Sequence, residues 1–225
     1  VRRARAAAGF AVDPDADRLS IVDENGAALG EEYTLILAAL DLYARGRRGV
    51  VVVNNSSSMM NEAVAARNGS RVVRSPTGEA NVISVMKKNR RVIMGGEGNG
   101  GVILPGINMA RDSFVGMALV LDLLARGQSR LSRLAADIPT FSMIKEKTEM
   151  TAKAFEGRIP ALRREFSGSR FENMDGLKIF ADGGWVLIRA SNTEPIVRVI
   201  AEHRRADGAR ALIARSRAAL SKRFA

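Results

Sequence analysis

Short apolar runs alternate with amphipathic stretches along most of this chain. Near the start, GFAV (9–12) reads as a short buried strand, and LSIVD (19–23) alternates apolar with polar positions, the period of a second strand. Asn25-Gly26 is a hairpin-turn dipeptide. EEYTLILAALDLYAR (31–45) repeats at helical spacing and stops at Gly46. VVVVNN (50–55) predicts a continuous apolar strand, MMNEAVAARNG (59–69) a helix, RVVRS (71–75) a strand, GEANVISVMKKN (78–89) a helix and RVIMGG (91–96) a strand. RDSFVGMALVLDLLARG (111–127) predicts a long amphipathic helix. Strands that alternate with helices in this way build an α/β layer around a largely parallel sheet.

DIPTF (137–141) breaks the pattern and reads as a linker. Beyond it, MTAKAFEGRIPALRREF (150–166) is mostly helical, and GLKIFADGGWVLIRA (176–190) is a hairpin around Asp182-Gly183-Gly184. PIVRVIAEH (195–203) predicts a strand and ADGARALIARSRAALSKRF (206–224) a closing helix. Grouped strands with helices at the ends indicate an α+β domain. The expected division is a hairpin stub within 1–30, an α/β domain over 31–138 and an α+β domain over 139–225.

Composition narrows the picture. With 46% hydrophobic residues in 225, a sizeable core can be buried, yet no apolar run approaches the ~20 residues that span a bilayer. The basic start, VRRARAAAGF, is not followed by the apolar stretch of a signal peptide. The absence of cysteine excludes disulfides and thiolate metal sites, and fits a cytoplasmic protein. The net charge of +11 invites a nucleic-acid reading. Against it, the cations are scattered, RGRRG (45–49) and KKNRR (87–91) look like helix ends, and aromatics make up only 5%. A site for phosphorylated ligands is the better expectation, with neither nucleic acid nor membrane as partner. The chain opens at Val1 only a dozen residues before its most polar motif, so the natural protein is expected to extend further toward the N-terminus.

That motif is DPDADR, with Asp13, Asp15 and Asp17 crowded between two apolar strands and followed by Arg18. An EF-hand calcium loop would need Gly where Arg18 stands and helices where the flanks read as strands. A tight inter-strand loop presenting three hard oxygen ligands suits Mg²⁺, which completes its shell with phosphate oxygens. A second motif, GGEGNGG (95–101), follows a strand where an α/β sheet exposes its ligand crevice, and Glu97 and Asn99 offer hydrogen-bonding groups suited to sugar hydroxyls. A third, RASNTEP (189–195), joins Arg189 to Ser191, Asn192 and Thr193, with Arg198 beyond, as a phosphate nest. NNSSSMM (54–60) reads as a strand-to-helix turn with a capping serine, and His203, the one histidine, is given no role.

In this order the three motifs resemble the α-D-phosphohexomutase family, which includes phosphoglucosamine mutase, phosphomannomutase and phosphoglucomutase. DPDADR resembles its metal loop (D-G-D-x-D-R), GGEGNGG its sugar loop (G-E-x-S-G-H) and RASNTEP its phosphate loop (R-x-S-G-T-E-P). SPTGEANV (75–82) also sits where the family would have it. The departures are Pro14 and Asn192 in place of Gly, Asn99 in place of Ser and Gly101 in place of His.

The resemblance implies a mixed α/β domain followed by a C-terminal α+β (TBP-like) domain. It implies a mutase that moves a phosphoryl group between the 1 and 6 positions of a hexose phosphate, through an enzyme phosphoserine and a bisphosphate intermediate. Phosphoglucosamine is the first expectation. A phosphomannomutase or phosphoglucomutase, or a non-catalytic sugar-phosphate-binding module, is the alternative. Asp13, Asp15 and Asp17 would hold Mg²⁺, and Arg18 would lie beside the phosphoserine. Glu97 and Asn99 would bind the sugar, and Arg189, Ser191, Asn192, Thr193 and Arg198 the non-reacting phosphate. The family's Ser-His-Asn-Pro-like segment is not found in the chain, which is therefore expected to be an inactive C-terminal half whose N-terminal half is its missing partner. A homodimer is compatible with the resemblance.

Overall fold

The computed structural model describes residues 1–127, 129–191 and 193–221. The chain divides into two compact units, Val1–Pro139 and Thr140–Ala225.

In the first unit, β1 (Gly9–Val12) and β2 (Leu19–Val22) pair antiparallel, with Val12 opposite Leu19. Residues 13–18 are therefore the hairpin connection. After β2, the amide of Gly26 donates to Asp23 O at 3.0 Å, with Gly26 at φ 81°, the left-handed geometry that Asn-Gly turns supply. There follow α1 (Glu31–Ala44), β3 (Val50–Asn54), α2 (Met60–Arg67), β4 (Arg71–Ser75), α3 (Glu79–Lys88) and β5 (Val92–Glu97). β6 (Gly101–Ile103), α4 (Ser113–Gly127) and α5 (Leu131–Ala136) complete the unit.

The sheet order is β4-β3-β5-β6, with β4, β3 and β5 parallel and β6 antiparallel at the edge. Every residue of β3 is buried, as its unbroken valine run demands of a central strand covered on both faces. Val50 and Val52 pack with Val82 and Met86 of α3. α1 packs against α4, and both touch β6. From β3 the chain moves out to β4 and then crosses back to β5 on the other side. That reversal opens a crevice at the C-terminal ends of β3 and β5, the usual ligand position in such sheets.

The second unit holds β7 (Ser142–Glu149), α6 (Ala152–Glu165), β8 (Arg170–Glu172), β9 (Leu177–Ala181), β10 (Gly184–Ala190), β11 (Ile196–His203) and α7 (Ala206–Ser221). The expected continuation of α7 through residues 222–224 lies outside the described residues. One antiparallel sheet runs β7-β11-β10-β9-β8. Its core joins Val186, Ile188, Val197 and Val199 to Phe155 and Leu162 of α6 and to Leu212 and Leu220 of α7. His203 is a local staple: its Nδ1 accepts from the amide of Arg205 at 2.9 Å, and Nε2 lies 2.8 Å from the carbonyl of Asp182. This is an α/β domain followed by an α+β domain. No helix among the described residues is long and apolar enough to cross a membrane.

Candidate functional site

Asp13 to Arg18 fold as a tight turn at the end of the β1–β2 hairpin. The amide of Ala16 donates to Asp13 O at 3.0 Å, and Ala16 takes a left-handed φ of 56°. Left-handed geometry thus falls two residues after Pro14, whose ring forbids it at its own position. Ser113 Oγ, at the start of α4, donates to Ala16 O at 2.6 Å and fastens the turn.

The three carboxylates differ in exposure and partners. Asp15 is exposed, while Asp13 and Asp17 are half-buried. Arg18 reaches Asp13 Oδ2 at 3.5 Å, and Arg111 Nη2 pairs with Asp17 Oδ2. Among the described residues no group of three or more carboxylate or imidazole side chains is gathered as a metal site. Asp13 and Asp17 thus each have an arginine as counter-charge. One atom is left over: Asp17 Oδ1 is buried without a hydrogen bond, 3.8 Å from Arg18 Nε.

GGEGNGG carries the chain from the end of β5 into β6. Its glycines serve close approach more than conformational freedom. A Cβ on Gly98 would run into the carboxylate of Glu32, and one on Gly100 would run into the carbonyl of Leu19. Of this run only Gly100 has a positive φ, 91°. Its carbonyl accepts from the amide of Leu19 at 3.0 Å, which ties this loop to the Asp hairpin.

Glu97 is 3% exposed. Its Oε1 accepts from Asn54 Nδ2 at 2.7 Å and from the amide of Gly78 at 3.0 Å, and its Oε2 accepts from Arg111 Nη1 at 2.8 Å. Asn54 ends β3 and Glu97 ends β5, so their bond spans the switch point itself. Asn99 is half-buried, and its Oδ1 accepts from the amide of Gly101 at 3.3 Å. It lines a cavity of about 320 Å³ together with Asp13, Arg18, Ser20 and Glu31. Asn99, Asp13 and Arg18 therefore come together, while Glu97 lies beneath, among protein donors.

Several residues with no assigned role build this site. Arg111 is the largest omission. Its guanidinium joins Asp17 to Glu97, its Nε lies 3.8 Å from Glu79 Oε2, and its amide donates to Glu79 Oε1 at 2.6 Å. A single arginine just before a helix carries no local signal, since its partners come from three distant segments. The serines after β3 do more than cap. Ser58 Oγ accepts from the amide of Met60 at 3.1 Å, whereas Ser57 Oγ donates to Asn54 Oδ1 at 2.7 Å and accepts from the amide of Gly98 at 2.9 Å.

In the second unit, RASNTEP connects β10 to β11. Arg189 and Arg198 stand directly opposite on the two strands. Arg189 Nε bonds Asp175 Oδ1 at 3.1 Å, and Arg198 Nη2 reaches Glu194 Oε2 at 3.4 Å. The amide of Ser191 donates to Ile196 O at 2.8 Å, and that of Thr193 to Ser191 Oγ at 3.4 Å. Asn192 lies outside the described residues. The repulsion between the two facing arginines is thus offset on each strand by a carboxylate, Asp175 for Arg189 and Glu194 for Arg198.

Residues 30–141 match the family description phosphoglucomutase/phosphomannomutase, alpha/beta/alpha domain III, and residues 144–219 match the C-terminal domain of the same family. The chain belongs to the phosphoglucomutase/phosphomannomutase family. A phosphoglucomutase/phosphomannomutase of Thermococcus kodakarensis is 35% identical over 90% of this chain and 44% of its own length. A phosphoglucosamine mutase of Koribacter versatilis is 31% identical over 89% of this chain and 42% of its own. A crystal structure of a phosphoglucomutase/phosphomannomutase family protein from Burkholderia thailandensis superposes with a TM-score of 0.80 at 24% identity, over 95% of this chain and 46% of that one. The chain thus spans about half or less of the length of the curated relatives it matches. Within the family's domain III lie the GGEGNGG loop, the SPTGEANV segment that supplies Gly78 and Glu79, and Arg111; within its C-terminal domain lies RASNTEP. DPDADR precedes both matched ranges.

Proposed function

We propose that this chain supplies the metal loop, sugar loop and phosphate loop of a phosphosugar mutase that moves a phosphoryl group between the 1 and 6 positions of a hexose phosphate. The nucleophilic serine lies outside the chain, in an N-terminal half with which this one acts. Phosphoglucosamine is the preferred substrate of this reading, in line with the named function of one relative. The reading rests on one observation above all: the Asp hairpin and the GGEGNGG loop are joined at the switch point, through Leu19 to Gly100 and through Asp17–Arg111–Glu97.

The donor set fits Mg²⁺. Asp13, Asp15 and Asp17 are hard oxygen ligands, and Asp17 Oδ1 is a buried acceptor without a hydrogen bond. When bound there, Mg²⁺ supplies positive charge against the negative charge of a phosphoryl group in transfer. The chain's own groups then have distinct tasks. Arg18, half exposed beside Asp13, faces the cavity and offers a guanidinium to a phosphoryl oxygen. Asn99 offers both a donor and an acceptor to sugar hydroxyls from the same cavity. Glu97 positions the sugar loop. Arg189, Ser191, Thr193 and Arg198, with Asn192, hold the non-reacting phosphate and so orient the sugar.

Calorimetry tests the binding part. The purified chain should bind glucosamine 6-phosphate weakly and saturably, with inorganic phosphate competing, and should interconvert no hexose phosphates alone. Adding the N-terminal half should restore turnover. Turnover by the chain alone would overturn the placement of the serine, and no binding to any hexose phosphate would overturn the site.

A further inference from the structure

We infer that Arg111 is a built-in counter-cation of the Asp loop: it occupies Asp17 in the absence of a divalent ion, competes with that ion, and passes its arrival on to the sugar loop through Glu97. The inference rests on the metal reading above and deepens it.

The geometry is specific to one guanidinium. Arg111 is 13% exposed at its side chain, and Asp17, Glu79 and Glu97 all face it. One positive charge therefore serves three carboxylates in a poorly solvated place. Its two terminal nitrogens are committed to different loops, Nη2 to Asp17 and Nη1 to Glu97. Its Nε is buried and makes no hydrogen bond, so the head group is not at its best geometry for all partners at once. Asp17 shows the matching deficit at Oδ1. A group held with unmet hydrogen-bonding capacity on both sides is one that a stronger ligand can displace.

A divalent ion on Asp17 would repel the guanidinium and draw the carboxylate from it. Arg111 would then bear more fully on Glu97 and Glu79, the two carboxylates that anchor GGEGNGG and the start of α3. Arg18 also faces Asp13 and Asp17, but at 46% side-chain exposure its charge is screened and its competition is weaker.

The test is Mn²⁺ binding to the full chain, read from the free-ion electron paramagnetic resonance signal. Arg111→Gln should bind Mn²⁺ more tightly than the wild type by about tenfold or more, because a competing unit charge is gone. Arg111→Lys, which keeps the charge, should stay near the wild type, and Arg18→Gln should gain less than Arg111→Gln. A merely structural Arg111 would give the reverse: looser Mn²⁺ binding in both Arg111 variants. Equal affinities across the series, or a larger gain from Arg18→Gln, would also overturn the inference while leaving the metal site standing. Should Arg111→Gln fail to fold, the wild type decides: Mg²⁺ titration should shift the Arg111 Nε–H and Gly98 amide resonances together, and Mg²⁺ binding with Arg111 unmoved would overturn it. No ion binding by any variant would sink the metal reading, and the inference with it.

Discussion

Arg111 Nη1 donates to Glu97 Oε2 at 2.8 Å, between side chains that are 13% and 4% exposed. Glu97 accepts on its other oxygen from Asn54 and Gly78, so the carboxylate is surrounded by donors. An amide in its place must turn its NH₂ toward one set of donors. Glu97→Gln should therefore cost about 3–5 kcal/mol, the usual penalty for stripping one partner from a buried ion pair. Urea unfolding followed by circular dichroism measures it, and a loss below about 1 kcal/mol would show that the network is not structural.

Gly100 sits where an L-residue is strained twice, by a φ of 91° and by the carbonyl of Leu19, into which an added Cβ would run. That carbonyl is already held by Thr34 Oγ1 at 2.6 Å and cannot easily yield. Gly100→Ala should destabilise the first unit by about 2 kcal/mol or more. Gly106→Ala, whose Cβ meets nothing within 4 Å, is the control and should stay within about 0.5 kcal/mol. Equal melting temperatures for the two variants would contradict the packing argument.

Removing Arg189 should act on binding and on stability together. Arg189→Ala should weaken hexose-phosphate binding by about 1.5–3 kcal/mol, the worth of a hydrogen bond to a charged group. The structure adds a second effect, because Arg189 is bonded to Asp175, itself 15% exposed at its side chain. The variant should also lose about 1 kcal/mol of stability. Unchanged affinity in calorimetry would remove the phosphate-loop assignment.

Asp41 on α1 and Asp122 on α4 share one cation, Arg45, which lies 2.8 Å from each carboxylate. Burial, and then the neighbouring carboxyl of Asp122 on α4, push the Asp41 carboxyl above the usual range, while the ion pair with Arg45 at 2.8 Å pulls the other way. A raised folded-state pKa means the folded chain holds this proton more tightly than the unfolded chain. The contribution is fully present below the unfolded pKa and is lost as pH rises through the folded one. Asp41→Asn should thus gain on the wild type as pH rises from about 4 to about 7, the window that opens above an ordinary carboxyl pKa. Thermal melts across that window check the sign, and a variant that falls behind as pH rises would refute it.

The elements with strong periodicity were legible in the sequence because their burial is one-sided or complete. The Val50–Val53 run can only be a covered strand, and Asn25-Gly26 can only turn one way. β7 was not legible. Its residues, Ser142 to Glu149, are mostly polar and none is fully buried, yet all eight pair with β11. Main-chain hydrogen bonds to a neighbour, not an apolar face, make it a strand. β6, α5 and β8 were missed because three to six residues carry too little pattern.

The site divides along the same line. The sequence alone determined the three polar loops and their order, since carboxylates, glycines and arginines packed between apolar runs are each too costly to keep without a use. Tertiary structure alone decided how they are wired. It buried Glu97 among donors, left Asn99 with Asp13 and Arg18 at the cavity, and brought Arg111 between two loops that lie far from each other along the chain. The physical reason is that a buried charge must find its counter-charge in three dimensions, and nothing in a local stretch of sequence names that partner.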